Sequence, residues 1–250
     1  MSFWKFINKA ATENDPASVE LRIEGDIVSD DDAWLYEWFG MSSTNPSAFK
    51  SELASHKGMP ITVWIDSNGG DVFAAASIYN ALKEHDGKVT VKVDGKAISA
   101  ASVIAMAGSE ILMSPVAVMM IHNPLTYAVG NMHELRHVAD ILDTVKDTII
   151  NAYQLKTKKS RNKISEMMDD ETWMSAKAAM KEGFADNMLY AESNEQISDY
   201  APSMAFSRLA IQNSAKISID RLRAFNSSHA APGTTDTETL KAMLELELED

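Results

Sequence analysis

The chain has 250 residues, 45% apolar and 24% charged, ordinary figures for a globular protein with room for one well-buried α/β domain plus appendages. Its formal net charge of −13 is spread along the chain and works against nonspecific attachment to DNA or anionic lipid, both polyanions. It has no cysteine, which removes disulfides, thiolate metal sites and a cysteine nucleophile together.

The start, Met1-Ser2-Phe3-Trp4-Lys5-Phe6, lacks the long apolar run of a signal peptide, and the most apolar stretch, 97–107, is too short to span a bilayer. A cytoplasmic protein with no membrane or nucleic-acid partner is expected. Residues 1–18 read as a polar lead-in, 19–193 as the folded domain, and 194–250 as a partly disordered appendage. The appendage is rich in Ser, Ala, Asn, Thr and Gln and broken at Ala231-Pro232-Gly233-Thr234-Thr235. Its end, 240–250, mixes Leu with Glu and suits a short helix on a partner.

Within the domain, 19–28 alternates as a first strand, closed by Ser29-Asp30-Asp31-Asp32. That acidic cluster suits a cap for a helix over 33–39 better than a metal site. Ile61-Thr62-Val63-Trp64-Ile65-Asp66 is a buried-strand run, Ser67-Asn68-Gly69-Gly70 a turn signal, and 73–85 carries apolar residues at helical spacing. A strand over 89–93 and a small-residue helix over 100–107 follow, then strands over 110–113 and 116–121, split by Ser114-Pro115. A long helix is expected over 131–156, with Leu135, Val138, Ile141, Leu142, Val145, Ile149 and Tyr153 on one side. Shorter helices over 164–169 and 176–182 come next, the last closed by Gly183. Repeated strand-then-helix order argues a mostly parallel sheet with right-handed crossovers.

Chemistry gathers in three segments. Gly69 and Gly70, at a strand end before a helix, let backbone N–H groups turn toward a ligand, as an oxyanion hole requires; a tight turn is the plainer reading. Ser99, in Gly95-Lys96-Ala97-Ile98-Ser99-Ala100-Ala101, stands where a strand gives way to a helix. Its small neighbours leave the hydroxyl accessible, and the N–H of Ala100 would face a developing oxyanion; the same position suits a helix-capping serine. His122, in Met120-Ile121-His122-Asn123-Pro124, ends a buried strand and is the natural base for that serine, with a structural histidine as the alternative. His133 and His137 lie four apart on a polar helix face, while His56, His85 and His229 look like surface positions. No Walker-type phosphate loop appears, so any ATP dependence would belong to a partner.

Taken in order, Gly95-Lys96-Ala97-Ile98-Ser99, Ala107-Gly108 and Met120-Ile121-His122-Asn123-Pro124-Leu125 resemble the proteolytic subunit of Clp protease. Asp66-Ser67-Asn68-Gly69-Gly70 matches that family's Asn-Ser-Pro-Gly-Gly loop with Asn68 in place of proline. Met174-Ser175-Ala176 and Glu182-Gly183-Phe184-Ala185-Asp186 resemble its Ser-Ala-x-x-Ala…Gly-Leu-x-Asp ending. The resemblance spans roughly 19–190. With Glu171-Thr172-Trp173-Met174 it is similar in particular to Clp-like proteases encoded in phage and prophage head-assembly clusters.

The resemblance implies a crotonase-like spiral of ββα units and a long handle helix over 131–156 mediating contacts in a homo-oligomeric ring. It implies Ser99 as nucleophile, His122 as base, oxyanion donors from Gly69 or Gly70 and Ala100, and no cofactor or metal. Its substrates would be proteins or peptides, capsid or scaffold chains processed in head maturation. An ungapped alignment from Ile164 sets Met167 at the family's catalytic aspartate. Asp169, Asp170 and Glu171 lie just beyond, and Asp169 is the expected third member. Other readings are a Clp-like assembly scaffold without activity, a crotonase-fold enzyme acting on acyl-CoA, and a serine/lysine peptidase using Lys96, a residue expected to face solvent.

Overall fold

The computed structural model describes residues 7–9 and 18–190. The expected lead-in falls almost wholly, and the appendage wholly, outside them. The elements in chain order are β1 (Ile7–Lys9), β2 (Ser18–Ile27), α1 (Ala33–Trp38), β3 (Ser43–Thr44), α2 (Pro46–Ala54), β4 (Ile61–Gly70), α3 (Val72–Lys83), β5 (Val89–Ile98), α4 (Ala100–Ala105), β6 (Glu110–Met113), β7 (Val118–Ile121), α5 (Met132–Thr157), α6 (Arg161–Asp169), β8 (Thr172–Ser175), α7 (Ala176–Glu182) and β9 (Asn187–Met188).

The strands form a nine-stranded sheet whose main path is β1-β2-β4-β5-β6-β9. The pairs β2–β4, β4–β5, β5–β6, β5–β7 and β6–β9 are parallel; β1–β2 and β7–β8 are antiparallel. Over their first halves the long parallel strands alternate in burial. Val19, Leu21 and Ile23, then Ile61, Val63 and Ile65, then Val89, Val91 and Val93 all turn to one covered face. Against that face lie Ala74, Ala75, Ile78 and Leu82 of α3 and every residue of α4. A helix buried all round, as α4 is, has room for little beyond alanine, serine and β-branched or aliphatic side chains. That is why its sequence is Ala100-Ala101-Ser102-Val103-Ile104-Ala105.

Two expected boundaries move in a way that matters. β4 does not stop at Asp66 but continues through Gly70, paired with Asp26 and Ile27 of β2 beyond a register shift. β5 does not stop at Val93 but continues to Ile98, and its two halves have different neighbours. Thr90–Val93 pairs with β6, whereas Lys96–Ile98 pairs with β7. This fork delivers the end of β5 beside the end of β7.

α5 opens on a capping box in which Asn131 Oδ1 accepts from the amides of His133 and Glu134, while the Glu134 carboxylate accepts from the Asn131 amide. Its buried residues begin only at Val145. Leu135 and Ile141, expected on the packed side, remain 44% and 45% exposed. Among the described residues, the apolar stripe is thus buried only along the second half of the helix. The acidic cluster after β2 acts as turn chemistry: Ser29 Oγ donates to Asp32, and Asp30 accepts from Asn45, Ser47 N–H and Ser47 Oγ ahead of α2.

Candidate active site

The last residues of β5 run beside β7 in the register Ala97↔Met119 and Ile98↔Met120, and the Ser99 amide donates to the Met120 carbonyl at 2.9 Å. Both strands therefore release their chains at the same end. Ser99 makes the turn into α4 at φ 56°, ψ −125°, a conformation that costs a non-glycine residue about 1–3 kcal/mol and persists only where its surroundings enforce it. Ser99 holds the N-cap position, yet its side chain makes no capping bond. Its Oγ lies instead 2.7 Å from Nε2 of His122, one residue beyond β7. In the tautomer protonated on Nδ1, Nε2 accepts the hydrogen bond of the serine hydroxyl.

The remaining described histidines take other places. His56 Nδ1 bonds the Glu52 carbonyl and His85 Nε2 the Met59 carbonyl, while His133 and His137 are exposed on α5. No cluster of metal-binding side chains occurs among the described residues. Lys96 is not simply solvent-facing, because its Nζ is paired with Asp66 Oδ1 at 3.0 Å.

Gly69 is wedged against the serine turn. A Cβ there would lie 2.6 Å from the Ile98 carbonyl and 2.9 Å from the Ala100 amide, and its φ of +91° also favours glycine. A Cβ at Gly70 would meet the Ile27 carbonyl at 2.1 Å. Gly69 thus lets β4 press directly on the Ser99 turn, while Gly70 lets the same strand close against Ile27 of β2. Gly69's own N–H is engaged, donating to Ser67 Oγ at 3.0 Å, and the Ser67 hydroxyl in turn donates to the Gly25 carbonyl at 2.6 Å. Ala100 opens α4, where the first amides have no acceptor inside the helix.

The acidic residues after α6 separate clearly. Met167 is buried in the core. Asp169 ends α6, and its Oδ1 accepts from Lys146 Nζ at 2.6 Å and from Asn123 Nδ2 at 2.8 Å. The Lys146 ammonium, then the Asn123 amide, hold its carboxyl below the usual carboxylate range. Asp170 is the C-cap of α6. Glu171 turns the chain into β8 with φ 50°, and its Oε1 accepts from Trp173 Nε1 at 3.3 Å. The antiparallel β7–β8 ladder ends on Ile121↔Thr172, so His122 and Glu171 leave it together.

The lowered Asp169 pKa has a definite consequence for stability against pH. A carboxyl whose folded pKa lies below its unfolded value near 3.9 stabilises the fold above that value and loses the contribution as pH falls through the folded pKa. The Asp169 carboxylate is 55% exposed, so solvent screens the effect to a small size. The melting-temperature gap between the unmodified protein and Asp169→Asn should be constant from about pH 7 to 5 and close as the pH is taken below about 4. Scanning calorimetry across that range checks it.

Residue patterns gave no notice of Lys146 or Tyr153 as neighbours of this site, and gave Ser67 and Asn123 no role within the motifs that hold them. Ser102 carried one signal, as a lone hydroxyl inside the otherwise apolar run 100–107. Such a group needs a partner when buried. It has two, the Ser99 carbonyl and the Tyr153 hydroxyl.

Residues 52–192, which contain the whole constellation, match the Clp protease family model. The chain is 36% identical over 145 residues to the ATP-dependent Clp protease proteolytic subunit 1 of Chlamydia muridarum, covering 56% of this chain and 74% of that protein. It is 33% identical over 142 residues to the corresponding subunit of Chlamydia trachomatis, covering 55% and 73%. The proteolytic subunit of Carsonella ruddii is 30% identical over 140 residues, covering 55% and 72%. With the mixed sheet, the buried helix behind the serine turn and the long α5 already in place, these matches assign the fold as well as the lineage: the chain belongs to the Clp protease family.

Proposed function

We propose that this chain is a serine endopeptidase in which Ser99 is the nucleophile and His122 its general base. The 2.7 Å approach of Ser99 Oγ to His122 Nε2, on a backbone turn held out of the ordinary region, is the observation that carries this reading. As Oγ bonds the scissile carbonyl carbon, His122 takes the hydroxyl proton, and the Ala100 N–H faces the oxygen that gains charge. The carbon–nitrogen bond then breaks, and the imidazolium returns the proton to the leaving amine. Water, deprotonated by the same ring, hydrolyses the acyl-enzyme and restores Ser99. These steps use side chains and amides alone. Gly69 or Gly70 supplies the second donor beside Ala100, and since the Gly69 amide is given to Ser67 Oγ, Gly70 is the one favoured here.

Glu171, rather than Asp169, is the acid that orients His122 in this reading. Supporting it are the shared exit of His122 and Glu171 from the β7–β8 ladder and the engagement of Asp169 by Lys146 and Asn123.

The protein works as a homo-oligomeric ring whose contacts include the first half of α5. The exposed Leu135 and Ile141 on its apolar stripe support this, as does membership of the family. Ile141→Glu would put a charge into that contact, and sedimentation velocity should then show the assembly falling to smaller species. A shared mass for both proteins would leave the stripe without that role.

Its substrates are capsid or scaffold chains processed in phage head maturation in the host cytoplasm, supported by the resemblance over 171–174. The test is a fluorophosphonate probe, together with co-expression of the neighbouring head protein. Labelling and head-protein cleavage should both vanish in Ser99→Ala. Cleavage at the normal rate in that variant would overturn the assignment, and an unlabelled native protein would favour a scaffold.

A further inference from the structure

Ser102 is fully buried one turn beyond Ser99, and it makes contacts that fix the direction of every proton around it. Its Oγ lies 2.6 Å from the Ser99 carbonyl oxygen and 2.8 Å from the Tyr153 hydroxyl. A carbonyl only accepts, so the single Ser102 proton goes to Ser99. The Tyr153 hydroxyl must then be the donor to Ser102. Tyr153 is buried on the second half of α5, its ring set edge-on to Phe184 with centroids 5.5 Å apart. Burial pushes its phenol far above the ordinary range, so the donor keeps its proton throughout the working pH range.

The Ser99 carbonyl also accepts the Ser102 amide at 2.9 Å. That carbonyl is one end of a planar peptide group whose other end is the N–H of Ala100. Whatever holds the oxygen therefore aims the amide. Bonds accepted by the oxygen also polarise the N–H at the far end, as hydrogen-bonded chains do in a low-dielectric interior.

We propose that Tyr153 and Ser102 are positioning residues, a buried hydroxyl relay that locks the Ser99–Ala100 peptide so that the Ala100 N–H is pre-aimed at the oxyanion. The relay rests on the serine-peptidase reading above and deepens it. It ties the long helix α5 to the reacting peptide through two hydrogen bonds, without touching substrate.

The decisive variant is Tyr153→Phe, which keeps the ring volume and removes only the donor. Fluorophosphonate labelling separates initial binding from the bond-forming step, and the phosphonyl oxygen occupies the oxyanion position. Tyr153→Phe should slow the bond-forming step about tenfold, the scale of one lost buried hydrogen bond, with initial binding unchanged. Ser102→Ala should do the same, and the double variant should be no slower than the worse single, because both cut one chain. Phe184→Leu, which disturbs Tyr153 packing but spares its hydroxyl, should lower the melting temperature and leave the bond-forming rate alone. Native rates in Tyr153→Phe, multiplying effects in the double variant, or equal slowing in Phe184→Leu would each overturn the relay while the peptidase reading stood. A native protein that the probe does not label would overturn both.

Discussion

Replacing His122 with alanine should slow fluorophosphonate labelling and peptide hydrolysis by about 10⁴-fold or more. The size follows from what the ring does. An alkyl hydroxyl is a poor nucleophile at neutral pH, and in the proposed mechanism the 2.7 Å contact with Nε2 is the route by which the Ser99 proton leaves as the new bond forms. Lys96 does not offer a substitute base, since its ammonium is paired with Asp66. The melting temperature should change little, because His122 is only half-buried and lies beyond the end of β7. Stopped-flow labelling with the melting curve of the same sample checks both halves. A loss of less than tenfold would mean that another group takes the proton, and the assignment of His122 would fall.

Much of this arrangement was legible because two periodicities carry it. Alternation along Ile61 to Ile65 and Val89 to Val93 marks strands with one covered face, and the strand-to-helix order selects a mostly parallel sheet. The serine and histidine stand out because each occupies a junction where such a pattern stops. The extensions of β4 and β5 were not legible, for a physical reason. Ser67-Asn68-Gly69-Gly70 reads locally as a turn and Asp94-Gly95-Lys96 breaks the apolar alternation, and only partners far along the chain, at Asp26, Ile27 and 118–120, make them strands. β8 is four residues long, too short for its own pattern, and exists through pairing with β7.

α2 is a different case, since Asn45 followed by Pro46 is a readable helix start that the run of charges and serines obscured. The buried chain from Tyr153 to Ser99 lay beyond any one-dimensional pattern. A tyrosine in an apolar stripe shows that its ring is buried, but not which hydroxyl 51 positions away it will meet. The acid is hard to assign from sequence for a related reason. Counting from Ile164 selects Met167 or Asp169, whereas the chain after α6 passes through a cap at Asp170 and a left-handed residue at Glu171 before it re-enters the sheet.

That path leads to the second large effect. Glu171→Gln should slow the bond-forming step of labelling by about 10²–10⁴-fold with initial binding unchanged, whereas Asp169→Asn should alter it by less than about threefold. An amide in place of the carboxylate keeps shape and volume but no longer stabilises the imidazolium, and it permits the tautomer whose Nε2 carries a proton and cannot accept one. The position of Glu171 favours it for this task. Ile121 and Thr172 close the antiparallel ladder, so the backbone sets residues 122 and 171 side by side however the chain between them is arranged. Its φ of 50° makes it the left-handed residue just after the Asp170 C-cap, a common helix ending, and it turns the chain from α6 into β8. Asp169 is already committed to the Lys146 ammonium and the Asn123 amide through the same oxygen, an arrangement suited to tying α5 and α6 to the segment after His122. The labelling rates of the two variants, measured as a function of pH, decide between them. A large loss in Asp169→Asn with little change in Glu171→Gln would hand the orienting role to Asp169.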